Sequence, residues 1–188
     1  MKSFFTWIAA CVAAAPCAAA AAAPVAYTAG GPQSHLTFTG VQAGAPFTAE
    51  FRKFTASITF APEQIAKSRF DVSIDMNSVD SKDKDRDDTM RGSDLFAVAQ
   101  WPTAHYVTRG FSKTAGGFQA AGSLTLRGIT RDVPIAFKFT PTAGGAILTG
   151  TAEVKRLDFG VGQGDWKSTE WVGNDVKIGF SLVLTPKR

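Results

Sequence analysis

Beyond residue 17 this chain has no cysteine; the two it does have, Cys11 and Cys17, lie in an alanine-rich leader. The rest of the chain therefore has no disulfide to staple it and no thiolate nucleophile, so its stability must come from a buried core. Histidine is almost as scarce. His35 and His105 are the only two, with no H-x-x-x-H or H-x-H spacing, and a closed metal site is hard to assemble from them. The longest apolar run, Phe4 to Ala15, falls short of the ~20 residues that a membrane-spanning helix needs. Charge is sparse and balanced, with 20 Lys and Arg against 16 Asp and Glu for a net +4. The cations are scattered, with no basic stripe interleaved with aromatics, which argues against a nucleic-acid surface. No G-x-S-x-G element and no phosphate-cradling glycine loop appears, and Asp158-Phe159-Gly160 lacks the companion motifs of a kinase.

The leader has the three regions of a secretory signal. Lys2 precedes the uncharged stretch, and an alanine tract with several A-x-A choices ends near Ala23-Pro24. Cleavage there divides the chain into a signal at 1–23 and a single domain at 24–188, about 165 residues, enough for one core. Cys17 would also admit a lipoprotein signal, but Pro16 stands where a small residue is expected.

What is abundant is period-two alternation. Leu36 and Phe38 share one face of a strand over 33–40, and Phe70, Val72, Ile74 and Met76 share a face of another. Between them the phase slips: Phe47, Ala49 and Phe51 are odd-numbered, while Phe54, Ala56, Ile58 and Phe60 are even. A one-residue slip sends side chains to the opposite face, so the spacing predicts a bulge or tight bend at Arg52-Lys53. Alternation resumes at Tyr106 and runs through Phe118–Leu126, Val133–Phe139, Leu148–Val154 and Val176–Leu184, with turns at Arg127-Gly128-Ile129-Thr130 and Gly144-Gly145. The connection 156–173 is long and glycine-rich and carries Trp166 and Trp171, which fits either a lid or portal or a well-packed surface loop.

One stretch breaks the pattern. From Ser78 to Pro102 the period is lost, and Asp83, Asp85, Asp87 and Asp88 crowd the front, where carboxylates favour a helix N-terminus. Arg91 stands four residues after Asp87, in pairing range. Gly92-Ser93 breaks the run, Leu95–Ala99 supplies an apolar second turn, and Pro102 forces Trp101 out of helical space. The expectation is one helix or two short ones around 83–100. The Asp83-x-Asp85-x-Asp87 spacing opens like a calcium loop but fails further on, with Asp88 in place of the turn glycine and Asp94 in place of the bidentate Glu.

Eight or so strands with little helix must bury their apolar face against another sheet or against themselves, and the bend at Arg52-Lys53 favours an antiparallel barrel. Such a barrel is either filled by its side chains or holds one small ligand. The expected apolar lining is Phe38, Phe51, Phe54, Phe60, Phe70, Val72, Ile74, Leu126, Phe137, Phe139, Leu148 and Phe180; Trp101, Trp166 and Trp171 are candidates for the portal. With no catalytic set in view, the fitting occupant is an aliphatic chain, each buried methylene of which contributes ~0.8 kcal/mol.

Several motifs in order carry a resemblance over essentially the whole domain: Ser78-Val79-Asp80, Arg86-Asp87, Asp94-Leu95-Phe96, Leu124 to Thr130, Arg156-Leu157-Asp158-Phe159-Gly160, and Val172-Gly173-Asn174-Asp175-Val176-Lys177-Ile178. This pattern resembles the YceI family. The resemblance implies a periplasmic or secreted lipocalin-like β-barrel that binds a polyisoprenoid or other long amphiphilic lipid, of the isoprenoid quinone or polyprenyl phosphate type, with no cofactor and no catalytic residue. Carried over to this chain, Arg86, Asp87 and Phe96 match one family motif and Asp158, Phe159 and Gly160 a second. Structural roles are expected for them: Asp87 pairing with Arg91, Arg86 bonding loop carbonyls, Phe96 plugging the barrel end and Gly160 making a turn. A second expectation is a solid barrel that docks on a membrane redox partner through 156–173. The oligomeric state is left open, a homodimer included.

Overall fold

The alternation becomes strands because residues of period two can present one apolar row to a common interior. A computed structural model describes residues 23–187; the expected signal, but for Ala23, lies outside the described residues. The strands are β1 (Val25–Ala29), β2 (His35–Gln42), β3 (Ala45–Phe51), β4 (Phe54–Phe60), β5 (Arg69–Asp75), β6 (Val79–Asp80), β7 (Thr103–Thr114), β8 (Gly117–Leu126), β9 (Ile129–Asp132), β10 (Ile135–Thr142), β11 (Gly145–Lys155) and β12 (Asp175–Pro186). All are antiparallel members of one sheet. Its order β1-β4-β5-β7-β8-β10-β11-β12 closes on itself, because β12 pairs back onto β1, to give an eight-stranded barrel. At its other end β12 pairs with β2, and β2-β3-β6 continues the wall beyond the ring.

Two corners make closure possible. β1 and β2 lie along the same strand β12, with Tyr27 opposite Pro186 and Leu36 opposite Phe180, and the chain steps between them at Gly30-Gly31. Gly31 has φ +78°, a conformation only glycine adopts without strain. Across the gap, the backbone N–H of Val183 donates to Ser34 Oγ at 3.0 Å, which replaces the missing ladder bond. The second corner is the expected one at Arg52-Lys53, between β3 and β4, which leaves both Phe51 and Phe54 buried. It is pinned from outside: Arg52 N–H donates to Ser78 O at 3.1 Å, Lys53 N–H to Ser78 Oγ at 3.0 Å, and the Arg52 guanidinium pairs with Asp80.

The helical expectation holds in part. α1 (Lys84–Arg91) begins at Asp83, whose carboxylate accepts the Arg86 N–H at 3.1 Å. The apolar second turn over Leu95–Ala99 does not form; the chain folds back in turns instead. Phe96 N–H donates to Met90 O and Ala97 N–H to Gly92 O, with Ala97 at φ +49°. Arg127 Nη1 takes the carbonyls of Ser93 (2.6 Å) and Leu95 (2.8 Å), so a tertiary donor replaces the helical ones.

The two ends of the barrel differ. At one, Phe60, Phe70, Phe111, Phe118, Phe137 and Phe139 form a single aromatic plug with ring centroids 4.9–6.1 Å apart. At the other lie α1, the 92–102 turns, the β2–β3 hairpin and the 156–173 loop. In the wall between, Tyr106 faces Gly122, whose missing Cβ gives the phenol its place, and donates to Val133 O at 3.0 Å.

Two outcomes are expected. Phe60→Ala removes the hub of the plug, which touches five of its rings, and should lower unfolding free energy by about 3–5 kcal/mol in urea denaturation. Burial pushes the Tyr106 hydroxyl up to about 12 from 10.0. A pKa raised in the folded state means stability that is complete below pH ~10 and is lost as pH climbs toward ~12. Tyr106→Phe should flatten the stability–pH curve in that window; an unchanged slope would refute the assignment.

Candidate functional site

Inward-facing apolar residues on eight closed strands do not quite fill the space they enclose. A cavity of about 150 Å³ lies beneath α1 and the loops, and a second of about 90 Å³ lies deeper. Leu36, Ile74, Leu124 and Ile178 line both, so the two are neighbouring chambers of one lumen. Among the described residues, the polar ones on the walls are Thr37 and Arg156 in the upper chamber and Tyr106 in the lower, and Thr37 donates its hydroxyl to Gly179 O at 3.2 Å. An apolar cavity of this size offers water no partners, stays dry and accepts hydrocarbon.

The expected lining divides by depth. Phe38, Phe51 and Leu126 line the upper chamber, Ile74 both, and Phe54, Phe70, Val72, Leu148 and Phe180 the lower. Phe60, Phe137 and Phe139 line neither; they belong to the aromatic plug. Alternation tells inward from outward but carries no information on depth.

Above the upper chamber a vestibule of about 310 Å³ opens between α1, the β2–β3 hairpin and the loop, bordered by Gln42, Asp83, Asp85, Arg86, Thr89 and Trp166. It shares Phe47, Met90, Leu95 and Val172 with the upper chamber, which makes it the mouth. Of the three tryptophans only Trp166 borders it. Trp101 lies away from the vestibule, stacked on Arg127 with the guanidinium 5.1 Å from its ring. Trp171 points outward and is 59 % exposed, although its carbonyl accepts the Ala43 N–H at 2.8 Å and so ties the loop to the hairpin.

The family motifs are placed at this end with altered partners. Phe96 packs against Phe38 (6.1 Å) and Phe51 (6.0 Å) and caps the upper chamber. Asp87 does not pair with Arg91. It is buried and accepts from Ser81 N–H (2.8 Å) and Ser81 Oγ (2.7 Å), while Arg91 binds Asp88 and the carbonyls of Asn77 and Val79. Nor does Arg86 bond loop carbonyls: its Nε donates to Gln42 Oε1 at 3.2 Å and its guanidinium lies over the Phe47 ring at 5.0 Å. Phe159 is on the cavity wall, Asp158 is exposed, and Gly160 makes the turn with φ +67°.

Sequence reasoning missed Phe47, Met90 and Arg156. Phe47 shares the odd phase of Phe51, a usable signal; Arg156 opens a family motif, but nothing in its local pattern marks it as buried. It is 5 % exposed, and its guanidinium donates to the carbonyls of Gly173, Val161, Ser168 and Val172 at 2.8–3.0 Å, drawing the whole loop around one cation. Burial holds its pKa below the usual arginine value. The histidines sit elsewhere, His35 with Glu50 and His105 with Asp71, each at 2.7 Å on the outer wall. The His105 hydrogen bond holds the Asp71 carboxyl below its ordinary range. Among the described residues no group of three or more His, Cys, Asp or Glu comes together as a metal site.

Comparison with known proteins agrees with this geometry. A solved structure of Burkholderia cenocepacia BcnA superposes with TM-score 0.75 at 30% identity, over 79% of this chain and 94% of that one. A Campylobacter jejuni YCEI protein aligns at TM-score 0.66 and 22% identity, covering 74% of this chain and 84% of its own. A polyisoprenoid binding domain from Saccharophagus degradans aligns at 0.67 and 17%, covering 87% and 99%; at these identities the last two speak for the fold alone. A UPF0312 protein of Yersinia pestis is 34% identical over 90 residues, 48% of this chain and 47% of its own, so the chain spans about half the length of the curated relatives it matches. The model of the YceI-like domain matches residues 27–184, and the chain belongs to that family.

Proposed function

We propose that this protein is a non-catalytic carrier that holds the chain of a long amphiphilic lipid, of the polyisoprenoid class, in its barrel lumen. The observation that carries the reading is the two-chambered apolar lumen, plugged by phenylalanines at one end and opening to a partly polar vestibule at the other. Hydrocarbon gains ~0.8 kcal/mol per methylene there, and the walls offer a reacting group almost nothing. The polyisoprenoid binding domain from Saccharophagus degradans shares the fold, which supports the same ligand class here. The signal-like leader supports export to the periplasm, where a water-insoluble lipid needs a carrier. The isoprenoid quinone and polyprenyl phosphate types both fit this reading.

One observation favours a second reading, docking on a membrane redox partner: Trp171 stands largely exposed on the loop beside the mouth. The two differ in what happens to the lumen. Protein exported in a quinone-producing host and purified without detergent should yield a stoichiometric prenyl lipid when its organic extract is analysed by mass spectrometry. Phe54→Trp and Val72→Trp, which fill the lower chamber, should reduce the bound lipid about tenfold or more in folded protein. A clean extract, unchanged after quinone and polyprenyl phosphate are added, would overturn the carrier and leave the docking surface.

A further inference from the structure

We propose that Phe47 is the door of the lipid cavity and that Arg86 is the positioning residue that holds it shut, so that their contact sets the rate of lipid exchange. This rests on reading the lumen as a lipid site. Phe47 lines both the upper chamber and the vestibule, so its ring stands on the boundary between them. Inside, it meets Phe38 edge-on at 6.2 Å. Outside, the Arg86 guanidinium covers it at 5.0 Å. Arg86 reaches both shores of the mouth: it belongs to α1, lies 3.5 Å from Asp83, and donates to Gln42 at the tip of β2. A planar guanidinium lies flat on the ring while its fixed fork of N–H donors points outward to separate acceptors, a geometry that the point charge of an ammonium does not reproduce.

The backbone makes room for the ring and leaves it free to move. Gly40 is the register partner of Phe47, and a Cβ there would stand 3.1 Å from the ring carbon Cε1, tighter than ordinary packing. The outer half of β3 pairs only with β2, since β6 reaches no further than Glu50. A swing of one side chain between staggered rotamers therefore joins vestibule to cavity with no ladder bond broken. Arg86 is not on the wall of the upper chamber; it borders the vestibule and bears on the chamber through Phe47.

A door has a kinetic signature that structural support lacks: its removal speeds entry and exit by the same factor and leaves Kd unchanged. The probe is dansyl-labelled geranylgeraniol, followed in stopped flow by energy transfer from the native tryptophans. Arg86→Gln should raise both rate constants about tenfold, the equivalent of one cation–π contact with its hydrogen bond, with Kd constant within about twofold. Arg86→Lys should behave like Arg86→Gln, and Phe47→Tyr, which keeps the ring, like the native protein. In a Phe47→Ala background Arg86→Gln should add nothing, because the latch then has no door. If Arg86→Gln does not fold, Phe47→Leu with Arg86 intact makes the same test. Probe binding with unchanged rates in Arg86→Gln, or a rise in the exit rate alone with weakened Kd, overturns the door and spares the carrier. No probe binding by the native protein overturns both.

Discussion

Closure of the ring rests on one strand. β12 runs antiparallel to β11 over ten paired positions, from Ala146 with Leu184 to Lys155 with Asp175. Its other edge is divided between two strands, β2 toward the mouth and β1 toward the plug. Because β1 and β2 are separated by the Gly30-Gly31 step, the wall can close tightly at the plugged end and diverge at the other, where β2 and β3 leave the ring. A closed barrel has no edge to protect, and every second residue must face inside. The apolar lumen is thus a consequence of closure combined with alternation, and its single mouth follows from where closure is relaxed.

The mouth has little regular structure of its own, so side chains that bind backbone hold it together. Arg127 gathers the carbonyls of Ser93 and Leu95, Arg91 those of Asn77 and Val79, and Arg156 four from the 161–173 loop. Arginine suits this role because its rigid fork of five donors can serve several carbonyls at once. A buried guanidinium would be costly without partners, and here the carbonyl dipoles supply them. Most of these carbonyls lie in turns and loops outside the strands. The arginines stand in for secondary structure where the barrel must stay open.

Legibility in the sequence followed the same division. Where a row of alternating residues faces a common core, as in Phe118–Leu126 or Val176–Leu184, the period alone names the inward face, and the bend at Arg52-Lys53 shows as a phase slip. β1 was not legible: Val25–Ala29 is short, and its two buried residues, Tyr27 and Ala29, are too few to show a period. The second helical turn failed for a tertiary reason, because Phe96 is drawn inward and Arg127 takes the carbonyls that the turn would have used. Asp87 and Arg91 stand at helical spacing, but Asp87 is buried toward Ser81 and Arg91 turns to Asp88. Neither outcome is a property of the local stretch. The cavity residues were readable as inward and unreadable as to depth, which is why Phe60 and Phe54, six residues apart on one face, have different roles.

The asymmetry of the two ends carries a last step. Six phenylalanines seal one end with no polar side chain among them, while Gln42, Asp83, Asp85, Arg86 and Thr89 surround the other. An amphiphile held in this lumen has only one favourable orientation, with its hydrocarbon toward the plug and its polar end at the vestibule. The reverse would carry a polar group into the lower chamber, where the one hydroxyl, that of Tyr106, already donates to Val133 O, at about 2–7 kcal/mol for each unmatched group. Orientation is thus fixed by desolvation alone, without a specific head-group contact. On the proposed carrier reading, such a lumen reads the chain by shape and apolarity and leaves the head group at the vestibule, open to the surface.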